Sequence, residues 1–335
     1  MTTRRDFWLS LCCAVQIRAQ DEPVFTADAR DVPVEVAVTR SQRPLRGLRA
    51  EDFLMLENGQ PQPIRAVTSE ELPLDVVFLF HTVRNPGDGP WKERNTRTAE
   101  SMRARLLNGA ANVLLQTHPA DRVAFLTHTE PPRIQLPFTN DRNAMATTLR
   151  LIAAMDHEPG FSEPLTIEYA VRMLRDLGPA PGRRRLIVRL GTFIGSGVLY
   201  SDEPTIHRLW AENILFSSID IMLDGGGFDA PGGSPMEVSP TGDSFGRREP
   251  DGPLYRIVNP NHIAQATGGD ALLFLDPKDP LDMLTPIRQR YLLWFRQPDG
   301  LAAGEQRKIS VELSATLRER YPDVVVRTRA GYVTR

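Results

Sequence analysis

The sequence predicts an α/β protein with a doubly wound, mostly parallel sheet, flanked by a small β-sandwich-like unit formed from both chain ends. Three observations predict it. Leu74 to Phe80 is an almost unbroken apolar run, as in a strand covered on both faces. Strands and helices then alternate at the spacing of right-handed crossover units as far as Leu275. Strand-like segments before residue 70 and after residue 290 are too short to bury cores of their own, so pairing them gives one joint unit.

Taken in order, Val32, Val34, Val36 and Val38 alternate with Pro33, Glu35 and Ala37, the period of a half-buried strand. Phe53 to Glu57 forms a second strand region, closed by the Asn58-Gly59 turn and followed by Ile64 to Val67, so residues 21–70 make a small β unit. After the Leu74 strand, Ala99, Met102, Leu106, Ala110, Val113 and Leu114 recur at helical spacing. Arg122 to Thr127 is a strand with a neighbour near Ile134 to Phe138. The next helix is capped by Asn140 or Asp141 and stacks Met145, Leu149 and Ile152 on one face.

Another helix opens at Ser162, Glu163 and Pro164 and stops at Gly178. Strand Leu186 to Leu190, a helix around Ile206 to Ala211, strand Ile214 to Leu223, a helix from Pro260 to Ala266 stopped by Gly268 and Gly269, and strand Ala271 to Leu275 complete an α/β domain at residues 72–280. The remainder, 281–335, reads as a short helix near Leu281 to Arg288 and strands Tyr291 to Phe295, Ile309 to Leu313 and Val324 to Thr328. Glycines and prolines crowd the stretch from Asp224 to Gly252, which reads as an exposed, mobile loop.

Composition narrows the function. With 40 basic against 42 acidic side chains in 335 residues, there is no global field to attract a polyanion, and no nucleic-acid partner is expected. Both cysteines, Cys12 and Cys13, lie near the start, so the body of the chain has no disulfide framework, thiol nucleophile or Cys-ligated metal. Beyond the N-terminus no apolar stretch approaches the roughly 20 residues that span a bilayer. Arg4 and Arg5 precede an apolar run from Phe7 to Val15, and residues 1–20 read as a twin-arginine export signal. The expected location is periplasmic or extracellular.

The catalytic inventory is thin. Ligands of a doubly wound sheet sit beyond the carboxyl ends of its strands, which here present His81 with Thr82, Thr127 with His128, Gly191 with Thr192, and Leu223 with Asp224. The glycine-rich Gly191 to Gly197 lacks the Lys-Ser/Thr ending of a phosphate loop and the spacing of a dinucleotide loop, and no nucleophile elbow occurs. No cofactor is expected. His81 and His128, with Glu163 and Asp224 on the same edge, are a set able to hold a zinc-like ion and with it a metal-dependent hydrolase or ligand sensor, although no local spacing motif marks them and solvated loop histidines are the alternative.

Several segments together carry a family resemblance. Pro73 to Asn85, Asp121 to Phe125 and Arg327 to Tyr332 resemble the exported von Willebrand factor type A-related proteins of Acidobacteria, as do Gly47 to Phe53, Glu57 to Gly59, Ala266 to Gly269 and Gln289 to Tyr291. The resemblance implies a type A domain and a protein-binding, non-catalytic role. In the family a divalent ion is held by an Asp-x-Ser-x-Ser sequence, a Thr and a second Asp. Here those positions match His81, Val83 and Asn85, then Ser162 or Glu163, then Thr192, so the resemblance implies that the usual magnesium site is lost. The implied contacts for a partner protein are His81, Thr82, Asn85, Ser162, Glu163 and Thr192.

Overall fold

The computed structural model describes residues 30–41, 43–81, 104–105, 107–154, 162–179, 182–192, 198–199, 201–221, 256–274 and 283–334. Strands β1 (Asp31–Arg40), β2 (Arg43–Pro44), β3 (Phe53–Glu57), β4 (Gln60–Gln62) and β5 (Ile64–Thr68) come first. The α/β part then runs through β6 (Leu74–Phe80), helix α1 over 107–115, β7 (Arg122–Thr127), β8 (Arg133–Thr139), α2 (Arg142–Ala154), α3 (Glu163–Asp176) and β9 (Arg184–Thr192). It continues with β10 (Val198–Leu199), α4 (Glu203–Ala211), β11 (Ile214–Ile221), β12 (Arg256–Ile257), α5 (Pro260–Thr267), β13 (Ala271–Phe274) and α6 (Leu284–Arg288). The chain ends in β14 (Tyr291–Arg296), β15 (Gln306–Leu313), α7 (Ala315–Arg320), β16 (Val324–Thr328) and β17 (Gly331–Val333).

The central sheet has the order β13-β11-β9-β6-β7-β8 and is parallel except for the β8 edge. Every residue of β6 is buried because the two-residue period sends alternate side chains to opposite covered faces. Val76, Phe78 and Phe80 pack with Ala110, Val113, Met145 and Leu149 of α1 and α2. Val77 and Leu79 meet Ile167, Ala170, Leu209 and Ile263 of α3, α4 and α5. Each such side chain stabilises the fold by roughly 1.5–3 kcal/mol on burial. Asp75 interrupts the run, and Arg122 and Arg183 each bring a guanidinium nitrogen within 2.7 Å of its carboxylate. Burial opposes its ionisation, but hydrogen bonds from those arginines hold its pKa below the ordinary value.

The chain ends form two antiparallel sheets around one core. In the first, β1 lies between β14 and β16, with Val34 opposite Leu293 and Val38 opposite Val326, and β14 also pairs with β5. In the second, β3 pairs with β4 and β15, and β15 with β17. Val34, Val36, Met55, Leu293, Phe295, Val311 and Tyr332 point between them. Asn58 and Gly59, at φ of 47° and 78°, turn β3 into β4, a conformation that Asn and Gly tolerate.

A seam joins this unit to the α/β layers. The Ala266 carbonyl accepts from Ala330 N and from Trp210 Nε1, both at 2.8 Å. A Cβ on Gly331 would lie 2.5 Å from the Trp210 ring, and one on Gly268, at φ 80°, would lie 2.7 Å from Arg329 N. These glycines let the tail run directly against α4 and α5. The Ala266–Gly269 and Arg327–Tyr332 segments, read separately in the sequence, therefore touch.

The structure differs from the expectations at particular places. Leu284 and Ile287 of α6 pack into the α/β core, so this helix belongs with that layer and not with the C-terminal strands. Strands β10, β12 and β17 and helix α7 are too short to show a period in sequence. The strand expected to Leu223 is described as far as Ile221. The export segment 1–20, Ala99, Met102 and the loop from Asp224 to Gly252 lie outside the described residues. Among the described residues, no helix is long and apolar enough to cross a membrane.

Candidate functional site at the upper sheet edge

The strand order reverses around β6, between β7 and β9, and a crevice beyond the carboxyl ends of these strands is the position such sheets offer to a ligand. The backbone carries the pairing one step past the strands, since His81 N donates to Leu190 O at 2.8 Å and His128 N to Phe80 O at 2.9 Å. By the two-residue period His81 follows Leu79, His128 follows Leu126, Arg189 follows Ile187 and Asp220 follows Ser218. All four reach the face covered by α3.

Arg189 stands at the centre. Its Nε donates to Glu163 Oε1 at 2.5 Å, its Nη1 to Asp220 Oδ1 at 2.6 Å and its Nη2 to His81 Nδ1 at 2.9 Å. The fork of the guanidinium suits it to three acceptors at once. Because His81 Nδ1 accepts, its ring proton resides on Nε2. Glu163 Oε2 accepts in turn from Val258 N at 3.3 Å, and His128 Nδ1 lies 2.7 Å from Thr166 Oγ1. The two imidazoles meet edge to face, 4.6 Å between centroids.

Helix α3 delivers Glu163 in its first turn, where the helix dipole favours a carboxylate and Pro164 is pre-set for the helix. Gly191 makes room, as a Cβ there would lie 2.6 Å from Arg189 Nη1. The electrostatics follow from burial and this one cation. Burial pushes His81 down to about 3, helped by the charges of His128 and Arg189 and opposed by Glu163. Burial opposes ionisation of Glu163, yet Arg189 above all holds its carboxyl at about 2. Asp220 is raised by burial, only partly offset by Arg189. Arg189 itself is desolvated but raised by the two carboxylates.

His81, His128 and Glu163 are thus brought together, as the zinc-like set requires, but around a guanidinium. Thr82, Asn85 and Asp224 lie outside the described residues, and Thr192 ends β9 beside Ile221 of β11. Ser162 is the buried residue preceding α3, without a side-chain capping bond. The donor set does not fit a hard divalent ion: Glu163 already binds Arg189 and Val258 N, the His81 Nδ1 lone pair is engaged, and the central charge is positive. Among the described residues no group of three or more His, Cys, Asp or Glu side chains is arranged to hold a metal. Arg189 and Asp220 were not foreseen. The available signal was one arginine inside the apolar run Leu186 to Leu190, since a charge in a doubly covered strand needs a buried partner.

No family model matches the chain, and no curated protein matches it. Among solved structures, BatB from Bacteroides thetaiotaomicron is similar at 19% identity over 60% of this chain and 89% of that one, with a TM-score of 0.32. An aerotolerance-related membrane protein from Bacteroides fragilis is similar at 15% identity over 65% and 98% of the respective chains, TM-score 0.35. A von Willebrand factor type A protein from Catenulispora acidiphila is similar at 10% identity over 92% and 74%, TM-score 0.37.

Proposed function

We propose that this chain is a non-catalytic protein-interaction module of the von Willebrand factor type A kind, whose upper sheet edge is organised by Arg189 in place of a divalent ion. The observation that carries the reading is the single guanidinium bound at once to Glu163, Asp220 and His81. A fixed internal cation holds the strand ends and the start of α3 together without a metal, and among the described residues leaves no open coordination position or positioned nucleophile for a hydrolase. A partner protein then contacts residues that in sequence end or follow the strands, including Thr82, Asn85 and Thr192, by a metal-independent surface.

Calorimetric titration tests the metal half. Magnesium, manganese and zinc are expected to show no dissociation constant below about 100 μM with the native chain, roughly 5.5 kcal/mol of binding. Arg189→Met, which frees the His81 imidazole and the two carboxylates, is expected to gain zinc affinity. Tight magnesium binding by the native chain would overturn the reading. For the interaction half, a photo-cross-linker at Thr82 is expected to trap a protein partner and one at His118, at the opposite sheet edge, to trap none; equal trapping rejects an upper-edge surface. We further propose export through the twin-arginine route, which Arg4→Lys with Arg5→Lys is expected to abolish; unchanged export refutes it.

A further inference from the structure

A second buried arginine cluster lies in the seam, away from the upper edge. Arg290 precedes β14 and is 0% exposed, Arg184 opens β9 at 2%, and Glu35 reaches them from β1. Arg184 donates Nη1 to Arg288 O at 2.6 Å and Nη2 to Arg290 O at 2.9 Å, while its Nε lies 3.2 Å from Glu35 Oε1. None of Arg290 Nε, Nη1 and Nη2 has a hydrogen-bond partner, nor do Arg184 Nε and Glu35 Oε2. Two guanidiniums face one carboxylate, so the cluster carries a net charge of +1.

That imbalance cannot be relieved by losing a proton. A lysine in such a place can turn neutral, but an arginine keeps its charge. Burial and the neighbouring Arg184 draw Arg290 down to about 10, with Glu35 opposing, and it remains a cation at neutral pH. An unpaired buried charge costs several kcal/mol, and each stranded N–H adds to the cost.

We infer that the seam binds a small monovalent anion of the chloride class between Arg290 and Arg184, where it balances the charge and accepts the stranded N–H groups of Arg290. Neither guanidinium has surface open to a bulky ligand, and one negative charge is enough, which selects a halide over a phosphate or a peptide carboxylate. Glu35 lines a cleft with Trp210, Asn213 and Arg329 along the seam, which offers the ion a way in. Because Glu35 lies in a strand of the β unit, Arg290 leads into another and Arg184 belongs to the central sheet, occupancy fastens one unit to the other.

Unfolding of the full chain in sodium chloride and in sodium gluconate at equal ionic strength tests the inference. For a dissociation constant of about 10 mM, 100 mM chloride shifts the folding equilibrium about 11-fold toward the native state relative to gluconate. Arg290→Met is expected to remove the difference, and Glu35→Gln, which raises the local charge, to enlarge it. Equal stability of the native chain in the two salts overturns the site, as does a chloride gain that persists in Arg290→Met. If Arg290→Met does not fold, Glu35→Gln decides, and a gain no larger than the native chain's overturns the site. Bromide-grown crystals are expected to show an anomalous peak beside Arg290, and its absence at saturating bromide has the same force.

Discussion

Arg189 and Arg290 are both arginines inside the same molecule, yet their surroundings are opposite. Arg189 faces two carboxylates and an imidazole, and each of its guanidinium nitrogens donates to one of them. Arg290 shares the one carboxylate of Glu35 with Arg184, and its guanidinium donates to nothing. The first cluster is negative overall and closed, the second positive and open. Burial alone says little about a charged residue's role. An over-satisfied cation is a structural tie, whereas an unsatisfied one asks for a ligand.

The largest expected effect breaks the closed cluster. Arg189→Met leaves Glu163 and Asp220 buried without their counter-ion, and urea denaturation is expected to show a loss of about 3–5 kcal/mol. A loss below 1 kcal/mol would mean that the network relaxes to water and is no tie.

Acid attacks the same cluster by a second route. His81 has a folded pKa of about 3 against an ordinary 6.5, so its neutral form is favoured on folding, and the stability it contributes is complete above 6.5 and lost as pH falls toward 3. Between pH 6.5 and 4.5 this amounts to about 2 kcal/mol, because the slope reaches about 1.4 kcal/mol per pH unit only below the unfolded pKa. Glu163, depressed to about 2, adds its loss below 4.5. Asp220, raised by burial, acts in the other direction and takes part of this away. Denaturation midpoints across that range are expected to fall with acid in the native chain and to flatten in His81→Gln; parallel curves contradict the assignment.

A smaller effect comes from crowding the closed cluster. Gly191→Ala sets a methyl against Nη1 and is expected to cost about 2 kcal/mol, as overpacking does. The smallest effect has the opposite sign. Arg290→Met in chloride-free buffer removes an unpaired charge, leaves Glu35 matched with Arg184 alone, and is expected to stabilise the fold by about 1 kcal/mol. Destabilisation of 3 kcal/mol or more there would place Arg290 in the same class as Arg189 and erase the contrast.

Much of the α/β layer is legible in the chain. The unbroken run at Val76 to Phe80 has to be covered on both faces, and Met145, Leu149 and Ile152 at helical spacing have to face a core. His81, His128 and Glu163 are legible as residues at strand and helix ends, and they do converge. What they converge on is not legible, because Arg189 comes from a strand 108 positions beyond His81 and is matched to it by sheet register. Helix α6 is misassigned from sequence because five residues carry too little period to choose a core.

Local chemistry therefore sets what each segment is. Alternation makes β1, apolar continuity makes β6, Asn58 and Gly59 make a turn, and Pro164 makes a helix start, each through forces that act within a few residues. The two arginine clusters are a matter of tertiary pairing. Whether a guanidinium meets three acceptors or none depends on which distant strands lie beside it, and in a medium of low polarity that difference is worth several kcal/mol per charge. Nothing within a few residues of Arg189 or Arg290 distinguishes the tie from the open site.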